Sequence, residues 1–172
     1  MYYNWAGAMD TVFATTDDRN VSFEGRRGIC PEGWHVPSDA EWTQMQEYVS
    51  NYKENDEYKY RCGGDATFIA KALAIDKDYW IIEPNVVHEP CEPDYAPTTN
   101  NATGFSAVPA GNWNHMNNNT GFYNAGKYAC FWSSSSYDSD NVFYHYLVNY
   151  YDVMGRISFD KIRGFSVRCL RD

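Results

Sequence analysis

The alternation of hydrophobic and polar residues divides the chain into a helical first half and a β-rich second half. Ser38 and Glu41 form a capping box, in which the Ser38 side chain bonds the amide three residues on and Glu41 reaches back. An apolar stripe follows at helical spacing: Trp42, Met45, Val49 and Tyr52. The pattern therefore predicts a helix that begins after Ser38 and buries this stripe.

A second, shorter helix is predicted over residues 66–74, which read ATFIAKALA. Asp65 is expected to cap its first turn, and four apolar side chains are expected to point inward: Phe68, Ile69, Ala72 and Leu73. Residues 81–104 contain four prolines, and this composition predicts an irregular loop that follows the surface.

From Gly104 onward the pattern is typical of short strands. Strands are predicted at residues 104–109, 128–135, 141–148 and 164–172. The intervening residues 112–126 are predicted to form a polar loop, because their Asn and Gly residues tolerate positive φ. Helices followed by short antiparallel strands and long loops predict an α+β fold.

Length, composition and charge narrow the classes of partner. The 172 residues are enough for one domain, predicted here over residues 1–172, and 44% of them are hydrophobic, as in globular proteins. The net charge is −9 and the longest basic run is Arg26–Arg27, whereas nucleic-acid binding needs clustered positive charge. No apolar run approaches the ~20 residues of a membrane span. Neither nucleic acid nor direct membrane insertion is therefore predicted.

Residues 132–152 concentrate four residue types, since 15 of these 21 positions are Tyr, Ser, Asn or Asp. Tyrosine supplies rigid amphipathic contact area and the small polar residues supply adaptable hydrogen bonds, the mixture found in antibody paratopes. An ordinary solvated sheet face would instead carry lysine and glutamate. Lys127 is the only Lys, Arg, Asp or Glu between Gly111 and Ser134. The composition therefore favours an interaction surface.

The predicted ligand-binding residues come from two neighbouring segments. In the first they are Asn112, Trp113, Asn114, His115, Asn117, Asn119, Tyr123 and Asn124. In the second they are Ser134, Ser136, Tyr137, Asp138, Asp140, Asn141, Tyr144, His145, Tyr146, Asn149 and Tyr151. A protein ligand and a glycan ligand both stay open, because aromatic and amide groups contact either.

No catalytic or metal-binding constellation stands out. The four histidines, at positions 35, 88, 115 and 145, are scattered, and the five cysteines contain no CxxC pair or zinc-ligand spacing. Glu83–Pro84–Asn85 matches a tripeptide with which some lectins bind calcium and sugar, but the acidic partner motif is missing, which favours a chance match. We therefore predict no enzymatic activity, no cofactor and no metal.

Five long strings occur in order along nearly the whole chain: YNWAGAMD, GICPEGWHVPSDAEW, ATGFSAVPAG, FWSSSSYDS and GFSVRCLRD. They resemble the Fibrobacter succinogenes major paralogous domain, a family of secreted and lipid-anchored proteins of gut and rumen bacteria. The resemblance implies a C-type-lectin-like fold, in the variant used by formylglycine-generating enzymes. Two helices would then pack on small twisted antiparallel sheets with long loops.

The resemblance also implies that Cys30 pairs with Cys169, a bridge that would close nearly the whole domain. Cys62 and Cys91 lie where members of the family vary, so their predicted pairing rests on the cysteine count. Cys130 is left over and is predicted to be a small buried apolar residue. Widely spaced cysteines of this kind are typical of an oxidising compartment.

The leading hypothesis is a non-enzymatic extracellular ligand-binding domain of the adhesin or receptor-binding type. It would be the C-terminal domain of a longer bacterial surface protein, or part of a phage particle, with its targeting segment outside this chain. Two alternatives stay open: an oxidase of the formylglycine-generating type, which needs a reactive cysteine pair, and a structural module of an envelope or fimbrial assembly. Retroelements that rewrite adenines diversify some lectin-fold proteins, often starting from Asn codons. Single-base changes in such codons yield Asn, Tyr, Ser, Asp, His and Phe, which are the residue types that crowd residues 112–152.

Overall fold

The computed structural model describes residues 1–11, 22–95, 100–116 and 119–172, and within them the fold is α+β, as predicted. The helices are α1 (Trp5–Ala8), α2 (Asp39–Asn51) and α3 (Ala70–Leu73), with a 3-10 turn at Lys77–Tyr79. The strands are β1 (Trp34–His35), β2 (Lys53–Glu54), β3 (Glu57–Tyr58), β4 (Asn112–Met116), β5 (Asn119–Tyr123), β6 (Tyr128–Ser136), β7 (Asn141–Val148), β8 (Gly155–Asp160) and β9 (Leu170–Arg171).

The largest sheet has the strand order β6-β7-β8 and is antiparallel throughout. Three two-stranded antiparallel sheets surround it: β1 with β9, β2 with β3, and β4 with β5. In the described part of the chain, no helix is long and apolar enough to cross a membrane.

Helix α2 begins as the sequence predicts. The Ser38 hydroxyl accepts from the Glu41 amide at 3.2 Å, and the Glu41 carboxylate accepts from the Ser38 amide at 2.8 Å. Trp42 and Val49 are buried, which confirms the inward stripe. The His35 ring lies between Glu41 and Asp172, and the hydrogen bond to Asp172 raises the pKa of His35. The start of α2 is thereby connected to the last residue of the chain.

The central strand β7 is covered on both of its faces. On one face, the Trp42 ring of α2 stacks on His145 with ring centroids 5.3 Å apart. On the other face, Trp132 of the neighbouring strand packs against Phe165 with centroids 4.4 Å apart. Trp5 of α1 belongs to the same hydrophobic cluster as Trp132 and Phe165. Since both faces of β7 are covered, β6 and β7 lie in the interior of the molecule, whereas the edge strand β8 is partly exposed.

Two disulfides connect distant parts of the chain, and both predicted pairings are confirmed. Cys30–Cys169 joins residues 139 positions apart, and loop-closure entropy gives such a bridge a stabilising contribution of about 5 kcal/mol. Cys62–Cys91 joins residues 29 positions apart and contributes about 3–4 kcal/mol on the same basis. Strand β1 pairs with β9 beside the first bridge.

Some predicted elements are shorter in the structure. The helix expected over residues 66–74 is reduced to α3, because the Asp65 carboxylate accepts from the Thr67 amide and hydroxyl and closes a turn instead of capping the helix. The strand expected at residues 104–109 is reduced to one bridge between Ala74 and Ala107. Only β9 and isolated bridges remain of the expected strand 164–172.

Several short elements were not predicted from the sequence, including α1, β1, β2 and β3. Strand β8 was not predicted, and residues 112–126, predicted as a polar loop, contain the hairpin of β4 and β5. Gly111 introduces this hairpin with φ +81°, and a Cβ there would lie 2.2 Å from the Tyr123 carbonyl oxygen. A glycine is therefore required where the chain enters β4.

Candidate ligand-binding groove

The β4–β5 hairpin presents one aromatic face. Trp113 lies opposite Phe122 and His115 lies opposite Thr120 in the antiparallel register. Successive strand residues point to opposite sides, so these four side chains share a face. The predicted residue Asn117 lies outside the described residues, as does the side chain of Asn119.

An open groove of about 830 Å³ lies between this face, the first residues of the chain and the loop that precedes Phe165. The residues that shape it include Tyr2, Trp113, His115, Phe122, Ile162 and Gly164. Phe122 is 68% exposed and Ile162 is 48% exposed, so large apolar groups face solvent. The volume of the groove lies in the range typical of ligand-binding clefts.

The walls of the groove are held by ring contacts and backbone hydrogen bonds. The Trp113 and His115 rings are nearly parallel, at 11°, with centroids 6.2 Å apart, and Tyr2 packs on Phe122 at 5.1 Å. Trp113 exchanges two backbone hydrogen bonds with Gly164, at 2.8 and 3.0 Å. A Cβ at Gly164 would lie only 2.8 Å from the Trp113 Cβ. The walls of the groove are thus held in place by contacts within the chain.

A second exposed group of predicted residues lies at the turn between β6 and β7: Ser136, Tyr137, Asp138, Asp140 and Asn141. Tyr137 is 61% exposed. The Asp138 carboxylate accepts from the amides of Asp140 and Asn141 at 2.8 and 2.7 Å and from the Asn141 side chain at 3.0 Å. Hydrogen bonds from Asn141, followed by that from the Asp140 amide, lower the pKa of Asp138. The turn is ordered by its own polar side chains.

His145 is completely buried, so its predicted contact with a ligand is corrected to a structural role. Its Nε2 donates to Asp39 at 3.1 Å and its Nδ1 accepts from the Gln46 amide at 3.0 Å, so the neutral ring has both nitrogens bonded. Burial lowers the pKa of His145 to about 4. Arg156 also binds Asp39, through two hydrogen bonds of 2.6 and 2.7 Å. This network connects the first turn of α2 to β7 and β8.

Three further predicted contacts are corrected for the same reason. Ser134 and Asn149 are completely buried, and Asn112 is nearly so. Asn149 donates to the Ile81 carbonyl at 2.6 Å, and Asn112 accepts from Asn124 at 2.8 Å. The Asn149 and Asn112 side chains therefore bond groups inside the fold, and Ser134 is enclosed by it, so none of the three offers a contact to a ligand.

The remaining predicted residues have intermediate positions. Tyr144 lies mostly inside, with its ring 4.5 Å from that of Phe165, and burial raises its pKa. Tyr146 is half-buried beside it, with ring centroids 5.5 Å apart. Asn114 and Tyr123 are partly buried, whereas Asn124 and Tyr151 are exposed. Of the predicted residues whose side chains the structure describes, only Trp113 and His115 are brought together in the groove.

Six groove residues were not predicted from the sequence: Met1, Tyr2, Asn4, Phe122, Ile162 and Gly164. The alternation of Trp113, His115 and, across the hairpin, Phe122 was the available signal, but it was interpreted as a loop. Tyr2 and Ile162 come from opposite ends of the chain and are brought together by backbone hydrogen bonds between their neighbours: Tyr3 pairs with Phe165, and the Trp5 amide donates to the Lys161 carbonyl.

The state of the cysteines is relevant to the oxidase alternative, because that chemistry needs a reactive pair of thiols. All five lie in the described residues, four of them in the two disulfides. Cys130 is 3% exposed, and burial raises its pKa to about 12, so its thiol is protonated at neutral pH. A buried protonated thiol is a poor nucleophile.

Fold, disulfides and groove together define a disulfide-linked α+β domain with an aromatic cleft. The family described as the Fibrobacter succinogenes major domain matches residues 1–171, and the chain belongs to this family. The resemblance noted from the sequence is thereby confirmed. No curated protein and no solved structure matches the chain.

Proposed function

We propose that this domain is a non-enzymatic extracellular binding module and that the aromatic groove holds its ligand. The observation that carries the proposal is the exposure of Phe122 and Ile162 beside the stacked rings of Trp113 and His115. Such apolar groups at the surface stabilise the fold little, whereas aromatic faces contact sugar rings and apolar side chains well. The ligand is a glycan or a protein segment on another cell or molecule.

The turn at residues 136–141 offers a second, more polar contact area within the same proposal. Tyr137 gives a rigid exposed ring, and Ser136, Asp138 and Asp140 give hydrogen-bonding groups around it. This is the aromatic and small-polar mixture used by paratopes. The two disulfides suit an oxidising compartment, which supports placement at the surface of a cell or a phage particle.

The alternative of a formylglycine-generating type of oxidase has less support. That chemistry needs a reactive pair of thiols, but Cys169 is in a disulfide and Cys130 is buried and protonated at neutral pH. A structural module of an envelope assembly is the other alternative. It would be favoured if the groove were found covered by a neighbouring domain in a longer protein.

Arrays of glycans and of bacterial and host proteins test the proposal and distinguish the two ligand classes. We expect the wild-type domain to bind on one of them, and Trp113→Ala/Phe122→Ala to lose at least about tenfold in affinity. Tyr48→Ala/Tyr79→Ala is the matched control, because these aromatics are 63% and 58% exposed elsewhere on the surface. Undiminished binding by the groove variant, with its fold verified by circular dichroism, would refute the groove as the ligand site.

Diversification by a retroelement is a finer proposal about the same surface. We expect exposed positions such as Ser136, Tyr137 and Tyr151 to tolerate replacement, whereas the buried and hydrogen-bonded His145 and Asn149 should not. We therefore expect variation to spare the buried positions. The test is genomic: a near-copy of the DNA for residues 110–172, differing only at adenines, should lie beside a reverse-transcriptase gene. If it is missing, the surface is not diversified in this way.

A further inference from the structure

A compact group of three metal-ligating side chains lies in the proline-rich loop, far in sequence from the groove. His88 Nδ1 is 3.4 Å from Glu92 Oε2 and 3.1 Å from Asp94 Oδ1. One ligand atom from each of the three residues lies within 4.8 Å of the others. The loop is attached to the rest of the domain by the disulfide at Cys91, next to Glu92.

The group is buried, which separates it from ordinary surface acids. The side chain of Asp94 is 0% exposed, that of Glu92 is 9% exposed and that of His88 is 14% exposed. Among the described residues, neither Asp94 oxygen has a hydrogen-bond partner, and His88 Nδ1 has none either. A buried carboxylate without partners is costly, so these atoms require a cation.

The orientation of the His88 ring shows which atom would face that cation. Its Nε2 lies 2.9 Å from the Glu83 carbonyl oxygen, and since a carbonyl can only accept, Nε2 carries the proton. In the neutral ring, Nδ1 then directs a lone pair at two carboxylates, an arrangement that is repulsive by itself. Metal-bound histidines commonly donate their other ring N–H to a backbone carbonyl in this way.

Lys71 does not supply the missing positive charge to the carboxylates directly. Its buried ammonium donates to the carbonyl oxygens of Glu92 and Tyr95, at 3.1 and 2.7 Å. One lysine beside two carboxylates leaves a net charge of −1.

We propose that His88 Nδ1, Glu92 and Asp94 bind one divalent transition-metal ion of the zinc type. Ligand atoms about 2.1 Å from a metal lie about 3.4 Å apart in tetrahedral geometry and about 3.0 Å apart in octahedral geometry. The observed separations of 3.4 and 3.1 Å match these spacings. A nitrogen with two carboxylates suits zinc better than calcium, which takes six to eight oxygen ligands.

The ion would hold an irregular segment in place. The three ligands fall within seven residues that form neither helix nor strand. Glu92 Oε2 accepts from the Glu89 amide at 3.0 Å, and the Asn100 side chain donates to the Pro93 carbonyl at 2.7 Å, so the ligands are already oriented. Together with Cys62–Cys91, the metal would form a second cross-link in this loop.

Calorimetric titration of tag-free, oxidised, chelator-treated protein with Zn²⁺, and separately with Ca²⁺, tests the proposal. We expect one equivalent of Zn²⁺ to bind and to raise the melting temperature, with far weaker binding of Ca²⁺. Asp94→Asn and His88→Gln should each weaken Zn²⁺ binding at least tenfold. Glu89→Gln is the matched control, because it removes an exposed carboxylate from the same loop.

The competing arrangement is a protonated His88 that neutralises the carboxylates without a metal. Nitrogen-15 spectra of the imidazole distinguish the two, since an imidazolium has two equivalent protonated nitrogens and a metal-bound ring does not. Imidazolium signals that Zn²⁺ leaves unchanged would overturn the proposal. Wild-type protein that binds no Zn²⁺, or Asp94→Asn protein that binds it as tightly as wild type, would do so as well.

Discussion

The β4–β5 hairpin and the β6–β7 pair are built from similar residues but have opposite positions in the molecule. Both are rich in aromatic and small polar side chains. The hairpin exposes Phe122 and His115 to solvent, whereas β6 and β7 bury Trp132 and His145 between two layers. Composition therefore indicates what a segment can contact, and the layers packed around it decide whether the contact is with a partner or with the core.

The difference comes from the number of neighbours that each strand has. Strand β7 pairs on both edges, with β6 and β8, and is covered on both faces by the two hydrophobic clusters. The hairpin pairs only within itself and bridges the rest of the fold at Gly111 and Trp113. A strand that is surrounded needs its polar groups bonded internally, as His145 shows.

The sharpest test of the comparison removes one large aromatic side chain from each region. Trp132→Ala should destabilise the domain by about 3–5 kcal/mol, because it empties a fully buried position. Phe122→Ala should cost about 1 kcal/mol or less, because that ring is mostly solvated. Urea denaturation of both variants with intact disulfides measures the difference. Equal costs would show that the two regions do not differ in this way.

The pH dependence of stability isolates the buried histidine of β7. His145 stays neutral in the folded protein down to about pH 4, whereas an unfolded histidine binds a proton near pH 6.5. The contribution of the neutral His145 ring to the free energy of unfolding is therefore fully present above pH 6.5. It is lost as the pH falls towards 4, which lowers the free energy of unfolding by about 3 kcal/mol.

His145→Gln should lack this part of the pH dependence, because glutamine does not titrate. Denaturation curves of both proteins between pH 4 and pH 8 measure this part of the pH dependence. The carboxylates also titrate in this range, but they are common to both proteins, so their effect cancels in the difference. The difference in stability between wild type and variant should shrink on acidification. A constant difference across this range would contradict the assigned protonation.

The smallest expected effect concerns a serine near the C-terminal end of β6. Among the described residues, the buried Ser134 hydroxyl has no hydrogen-bond partner, so Ser134→Ala should be neutral or stabilising by up to about 1 kcal/mol. Ser135 is the control, since its hydroxyl accepts from the Asp39 amide at 3.0 Å and Ser135→Ala should destabilise. Thermal melts of the two variants give the comparison, and a clear loss of stability in Ser134→Ala would indicate a bonded hydroxyl.

Local signals in the sequence predicted the elements whose stability is local. The capping box at Ser38 and Glu41, the stripe of α2 and the apolar runs of β6 and β7 are examples. Prediction was poorer where tertiary contacts override local preference, as at Asp65, whose carboxylate closes a turn. The groove could be predicted only in part, because Trp113 and His115 belong to one strand whereas Tyr2 and Ile162 arrive from distant positions.

The amino-acid sequence by itself determined the family, the α+β class and the start of α2, because these depend on short strings and periodicity. The family resemblance then implied the Cys30–Cys169 bridge, and the cysteine count left Cys62 to pair with Cys91. Only the tertiary structure decided which polar aromatics face solvent and which are buried. It also decided that His88, Glu92 and Asp94 converge around one point. The burial of a side chain depends on the packing of segments far apart in the chain. The convergence of the three side chains within residues 88–94 depends on the irregular backbone path of that loop, which has no helical or strand period that residue spacing could reveal.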